Sequence, residues 1–224
     1  MEEKKKKRAG RNEITRERVI SAAFTELKEN GWENWNARRI AKRTGCSTMP
    51  LFRLFKNMDE IRNAVISECL KTYEKYIEEG RKEPLAYRGM GRAYIRFAKE
   101  EPWIFKALCA SEEFTGKNFS AIDPTVSTAL AEAEKSGNVN EETAKRLHAC
   151  MTIFCHGAAM MASTGAASVP ESAFDSLMSD VFLALKAFYS RSSYRKEIDG
   201  GKNIKNDGAE AKSGELYGNI SEND

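Results

Sequence analysis

The chain lacks any run approaching 18 consecutive apolar residues, so no membrane-spanning helix is expected. Its opening MEEKKKKRAGR is not followed by an apolar stretch, and a secretory leader is not expected either. Histidine occurs only twice. Cysteine occurs five times, an odd number without a CxxC pair, which argues against a disulfide framework and for a reducing, cytoplasmic setting. The sequence has no GxSxG, HExxH, phosphate-binding P-loop or dinucleotide glycine fingerprint. No nucleophile, base and orienting group can be assembled from it, so neither an enzyme nor a cofactor is expected. Strand-period alternation and internal repeats are missing as well, which leaves an all-α protein. His148, Cys150, Cys155 and His156 invite a metal reading, and His148 and Cys155 lie seven apart on one helical face. They do not form a compact ligand set, and no metal is assigned.

What is present is an uneven charge. Residues 1–56 carry 15 Lys or Arg against 7 Asp or Glu, a balance of +8, and the rest of the chain a balance of −5. Such asymmetry fits a basic part that meets a polyanion, or a solvated basic tail on a neutral domain. The stretch from Asn36 to Ile61 favours the first. Asn36 is a good N-cap, Ala37, Ile40, Ala41 and Thr44 recur at helical spacing, and Gly45 sits where that helix must stop. Ser47 is the expected cap of a second helix carrying Leu51, Leu54 and Phe55, with Pro50 tolerated in its first turn. Asn57 with Glu60 reads as a capping box for a third. Two short helices joined by a glycine turn make a helix-turn-helix, which presents its second helix to the DNA major groove.

The expected domains are a basic arm (1–12), a helix-turn-helix domain (13–57), a regulatory and dimerisation domain (58–190) and a polar tail (191–224). Lys4 to Arg8 and Arg11 suit an arm on phosphates or in a minor groove, and equally a solubility tail. Thr15 caps a first helix with Val19, Ile20, Ala23, Phe24 and Leu27 as its apolar stripe, and Trp32 and Trp35 cover the small core. A long helix runs from Met58 to about Glu79, before Gly80 and Pro84 break the chain. Helices follow over Leu85–Lys99 and from Pro102, and another between the Asp123–Pro124 pair and Gly137. Asn140 starts a helix to about Thr164, with a seam of Leu147, Met151, Phe154, Ala158 and Met161. Its second half is apolar nearly all round and should be enclosed on all sides. The last helix, after Pro170, carries two stripes. One is Phe174, Leu177, Val181, Ala184 and Phe188, and the other Met178, Phe182, Leu185 and Tyr189. One stripe can pack on the chain's own core; the other needs a second surface, for which a symmetric copy is the simplest source.

With these elements placed, the chain resembles the TetR family of bacterial transcriptional regulators. The likeness lies in IAKRTGCS (Ile40–Ser47), LFRLFKN (Leu51–Asn57) and DEI (Asp59–Ile61), and more loosely in GRAYIRFAKEEPWIFKAL and FCHGAAMMASTG. It spans about residues 12–190. It implies a homodimer joined through the last two long helices, binding a palindromic double-stranded DNA operator and released by a small apolar or amphipathic effector. An alternative is a DNA-binding protein of the same fold that answers to a protein partner. By this resemblance the DNA-binding residues are Arg38, Lys42, Thr48, Met49, Phe52, Arg53 and Lys56. Arg38 and Thr48 would read bases, and Met49 could touch a thymine methyl. Three positions depart from the family pattern. Phe52 stands for a tyrosine whose hydroxyl holds phosphate, keeping the packing and losing the bond, while Leu54 and Met58 replace a histidine and a lysine. The effector-binding candidates are Tyr94, Phe97, Trp103, Phe105, Phe114, Met151, Phe154 and His156, although aromatic and methionine side chains at helical spacing also make ordinary core.

Overall fold

Thr15 and Asn36 set the first two helices. Thr15 Oγ1 accepts from the Arg18 N–H at 3.3 Å, starting α1 (Arg16–Asn30). Asn36 Oδ1 accepts from the Arg38 and Arg39 N–H groups, both at 3.1 Å, starting α2 (Ala37–Thr44). This computed structural model describes residues 13–111, 128, 131, 140–166 and 170–189. The expected basic arm, the helix capped by Asp123, Phe114 and the polar tail lie outside them. Six further helices are bounded: α3 (Met49–Leu54), α4 (Met58–Arg81), α5 (Ala86–Glu100), α6 (Pro102–Cys109), α7 (Glu141–Thr164) and α8 (Glu171–Tyr189). No strand occurs among the described residues, and the fold is all-α.

The described residues fall into two units. Those up to Glu74 group with Glu101–Cys109, and Lys75–Glu100 groups with the described residues after Cys109. The division therefore falls inside α4, between Glu74 and Lys75. In the first unit, Val19, Ala23 and Leu27 of α1 are buried, as are Ile40 of α2, Leu51 of α3 and Ile61 and Val65 of α4. Helix α6 packs on α1, with Ile104, Phe105 and Leu108 buried, and the Trp103 ring lies against Gly31. In the second unit α7 packs on α5 and α8. Leu147, Met151, Cys155 and Met178 form a buried cluster, flanked by Tyr87, Tyr94, Phe154 and Phe182. Asp175 ties α8 to α5, accepting from Arg88 at 2.5 Å and pairing with Arg92 at 3.1 Å.

Several expectations are corrected. Thr48, not Ser47, stands at the N-cap of α3; its own backbone is helical and its side chain makes no capping bond. Pro50 in the first turn, which has no N–H to satisfy, lets the helix begin without one. The Asn57–Glu60 box closes on one side only. Asn57 Oδ1 accepts from the Glu60 N–H at 2.9 Å, but the Glu60 carboxylate reaches the N–H of Lys56, at 2.6 Å. The expected break comes just after Arg81, with Gly80 in the last turn of α4. A Cβ at Gly80 would strike the Gly89 carbonyl, as one at Gly89 would strike that of Gly80. The pair lets α4 and α5 cross backbone to backbone. Helix α7 is not enclosed among the described residues, since Ile153 is 74% exposed and Met160 and Met161 are open to solvent. Of the expected seam, Leu147, Met151 and Ala158 are buried and Met161 is not.

Gly45 is a requirement of conformation. At φ 81°, ψ 34° it closes α2 in a Schellman motif, with Cys46 N–H donating to Ala41 O at 2.9 Å and Gly45 N–H to Lys42 O at 3.2 Å. A Cβ at Gly45 would meet nothing within 4 Å. Gly45→Ala should therefore cost only the left-handed backbone term, about 1 kcal/mol. Gly89→Ala drives a methyl into a carbonyl and should cost about 3 kcal/mol. Urea unfolding of the two variants checks the ordering, and equal losses would contradict it.

Candidate nucleic-acid interface

Six basic residues and no acidic one lie between Glu33 and Asp59. On α2 alone Arg38, Arg39, Lys42 and Arg43 crowd within two turns, and like charges four apart repel. The fold sorts them. Glu26 on α1 is only 3% exposed and receives both Arg39 Nε and Arg43 Nε, the latter at 3.0 Å. Arg43 also bonds Glu29. Burial by itself would raise the Glu26 carboxyl, but the two arginine hydrogen bonds outweigh it and hold its pKa below the ordinary 4.5. One cationic pair of α2 is thus neutralised against α1. Arg38 and Lys42, on the adjacent face, are exposed and have no acidic partner among the described residues.

Two more arginines of α1 are spent on helix ends. Arg18 donates to Thr44 O at 3.2 Å, satisfying a terminal carbonyl of α2. Arg16 donates to Leu54 O at the end of α3, bonds Glu60 at 2.7 Å, and lies over the Phe55 ring at 4.0 Å. These contacts fix both helices of the motif against α1 and α4. The C-terminal carbonyls of a helix attract cations, so each arginine both fills an orphan acceptor and complements the dipole.

Helix α3 is shallowly seated. Of its six residues only Leu51 is fully buried, with Phe55 just beyond its end. Arg53 and Lys56 are exposed; Arg53 Nη2 lies 3.5 Å from Met49 Sδ, and Lys56 stands beside Glu60. Thr48 is half-buried, whereas Met49 is 63% exposed. Phe52 is 46% exposed and projects outward. The structure therefore brings Arg38, Lys42, Met49, Phe52, Arg53 and Lys56 to the solvent side of the two helices. The sequence also gave no sign of a cleft of about 240 Å³ that joins the starts of α2 and α4, walled by Trp32, Trp35 and Arg62. The guanidinium of Arg62 covers Trp32 at 4.6 Å.

The eight effector candidates are divided. Trp103 and Phe105 belong to the first unit, where Trp103 meets Gly31 and Phe105 is fully buried. Phe97 is buried in the second unit beside Tyr76, ring centroids 5.3 Å apart. Tyr94, Met151 and Phe154 meet at the Met151–Cys155–Met178 cluster. His156 joins them through a 2.9 Å hydrogen bond between its Nδ1 and the Tyr94 hydroxyl, and burial lowers its pKa. A second pair, Tyr87 and His148 at 3.0 Å, spans the same two helices. Burial also pushes the Cys69 and Cys155 thiols up to about 12, which leaves them poor nucleophiles.

No protein-family model and no curated protein matches this sequence. Solved structures do match in shape. One is described as "the putative transcriptional regulator from Pseudomonas aeruginosa PAO1"; it aligns with TM-score 0.54 over 78% of this chain and 91% of that one, at 15% identity. The fold is shared with that protein. No helix among the described residues is long and apolar enough to cross a membrane.

The Glu26 hub yields a stability prediction. Glu26→Gln should cost about 2 kcal/mol at neutral pH, the range for hydrogen bonds to charged groups. Because the folded-state pKa is depressed, the contribution is fully present above 4.5 and is lost as pH falls through the folded value. Urea titrations should show the gap between native protein and variant narrowing from pH 7 to pH 3. A gap that holds at pH 3 would contradict this assignment.

Proposed function

We propose that the protein is a DNA-binding transcriptional regulator of the TetR type, acting as a homodimer on a palindromic operator. The observation that carries this reading is the sorting of cations on the helix-turn-helix. Arg39 and Arg43 are paired with Glu26 and Glu29 of α1, while Arg38, Lys42, Arg53 and Lys56 stand exposed without such a pairing on α2 and α3 and the turn that follows. A mere excess of surface charge would not need a buried acid to position half of it. Arg38 at the start of α2 is suited to a guanine edge, and Lys42, Arg53 and Lys56 to phosphates.

The dimer is supported by exposed apolar residues of α8. Leu177, Leu183 and Phe188 are exposed on the single chain, Leu183 by 61%, and Ile153 on α7 is open as well. A symmetric copy would cover them and set the half-site spacing. The effector is a small apolar or amphipathic molecule, read from the apolar cluster around Met151 and the adjoining Tyr94, Phe154 and His156. Its action is linkage: a ligand that favours one dimer form weakens DNA by the factor that DNA weakens the ligand.

Selection of bound sequences from a random DNA pool, with and without a metabolite extract, tests the whole reading; recovery of no palindrome would sink it. On the selected site, three phosphate cations per half-site give a slope of log K against log salt of about −5. Lys56→Ala should weaken all sequences alike and flatten that slope by about 2, one for each copy. Arg38→Ala should relax one base pair per half-site by about 1–3 kcal/mol and leave the others unchanged. Sedimentation of a Leu183→Glu, Phe188→Glu variant should return a monomer with greatly reduced operator affinity, and a persisting dimer would place the interface elsewhere.

A further inference from the structure

Helix α3 exposes an apolar pair that the cationic reading does not use. Met49 and Phe52 are three residues apart, which places them on one face of the helix, and they are 63% and 46% exposed. Exposed apolar side chains scattered singly are ordinary. Two side by side on a six-residue helix, with neither turned into the core beside Leu51, are a surface. The setting says what kind of partner suits it. No acidic residue occurs between Glu33 and Asp59, and exposed Arg38, Lys42, Arg53 and Lys56 share the same two helices and turn. Arg53 lies against the Met49 thioether, carrying its charge next to the patch. A second copy would meet this charge with the same charge, and a purely apolar protein face with nothing to answer it. A polyanion that also displays an apolar group answers both.

Duplex DNA displays such a group in the major groove: the C5-methyl of thymine. Neither a thioether nor a phenyl ring donates a hydrogen bond, so this pair cannot tell base edges apart by their acceptors. It can tell a pyrimidine with a methyl from one without. Resting on the DNA-binding reading above, we infer that Met49 and Phe52 form an apolar reading head for C5-methyl groups. Part of the operator specificity is then carried by thymine methyls in each half-site instead of by hydrogen-bond patterns. Arg38 supplies the polar contact, and Phe52, in place of a phosphate-binding tyrosine, becomes a reader. Burying one methyl is worth about a fourfold change in affinity, so a symmetric site read twice changes about fifteenfold.

The test uses the full-length protein and the tightest duplex recovered by selection. Each dT is replaced in turn by dU, which removes the methyl and keeps every hydrogen-bonding group, and Kd is measured by fluorescence anisotropy at fixed salt. At least one position per half-site should lose about fourfold, and the symmetric double replacement about fifteenfold. In a Met49→Ala, Phe52→Ala variant, whose changes lie on an exposed face and whose helicity is checked by circular dichroism, the dT-to-dU difference should vanish while the salt slope stays unchanged. Sequence-specific binding in which every dU duplex lies within twofold of its parent would overturn the methyl reading and leave the DNA-binding proposal standing. Failure to select any sequence would overturn both.

Discussion

A carboxylate out of water needs company, and Glu26 shapes the first unit by needing it. Desolvation penalises the charge, and two guanidinium groups from the next helix, with the Asn30 amide, make it tolerable. The angle between α1 and α2 is thereby tied to the ionisation of one side chain. The same contact relieves α2, whose four cations in six residues would otherwise repel along two faces. One face is answered from inside the protein and the other is left for solvent or a polyanion. A basic segment becomes directional in this way, which is a different property from being basic.

Arginine does related work elsewhere in the fold. Arg16 and Arg18 fill carbonyl positions at the ends of α3 and α2, where the last turn has no partners of its own. In the second unit Asp175 plays the part of Glu26, held below its usual range by the Arg88 hydrogen bond and then by Arg92. Each unit therefore contains one acid gripped by two arginines of another helix, beside its apolar core. Lysine would not replace these arginines well, since the planar fork makes both bonds without losing further freedom.

Much of the local structure was legible because it depends on near neighbours in sequence. The caps at Thr15, Asn36 and Asn140, the glycine stop at Gly45 and Pro50 in a first turn follow from residue types at fixed offsets. What could not be read depends on the approach of distant segments. Gly80 has the composition of a stop and serves as a crossing point, because the reason for it is Gly89 on another helix. The aromatic residues after Pro102 are of the same type as Tyr94 and Phe154, yet α6 joins the α1 core. Nothing in an eight-residue apolar helix says which of two cores it will enter. The choice of Arg38 and Lys42 over Arg39 and Arg43 came from the resemblance alone; its physical reason, Glu26 and Glu29 on α1, needed the fold.

The glycines of this fold are constrained in two unlike ways, and sequence change should treat them differently. Gly45 has open space around it and is limited only by torsion, so asparagine, which tolerates the left-handed region, is an available neighbour in sequence space. Gly80 and Gly89 have ordinary helical torsions and no space, so neither can accept any side chain while the other backbone stays in place. Drift at Gly45 can proceed one residue at a time. Drift at the crossing requires two helices to separate together, so α4 and α5 can change their spacing only as a pair.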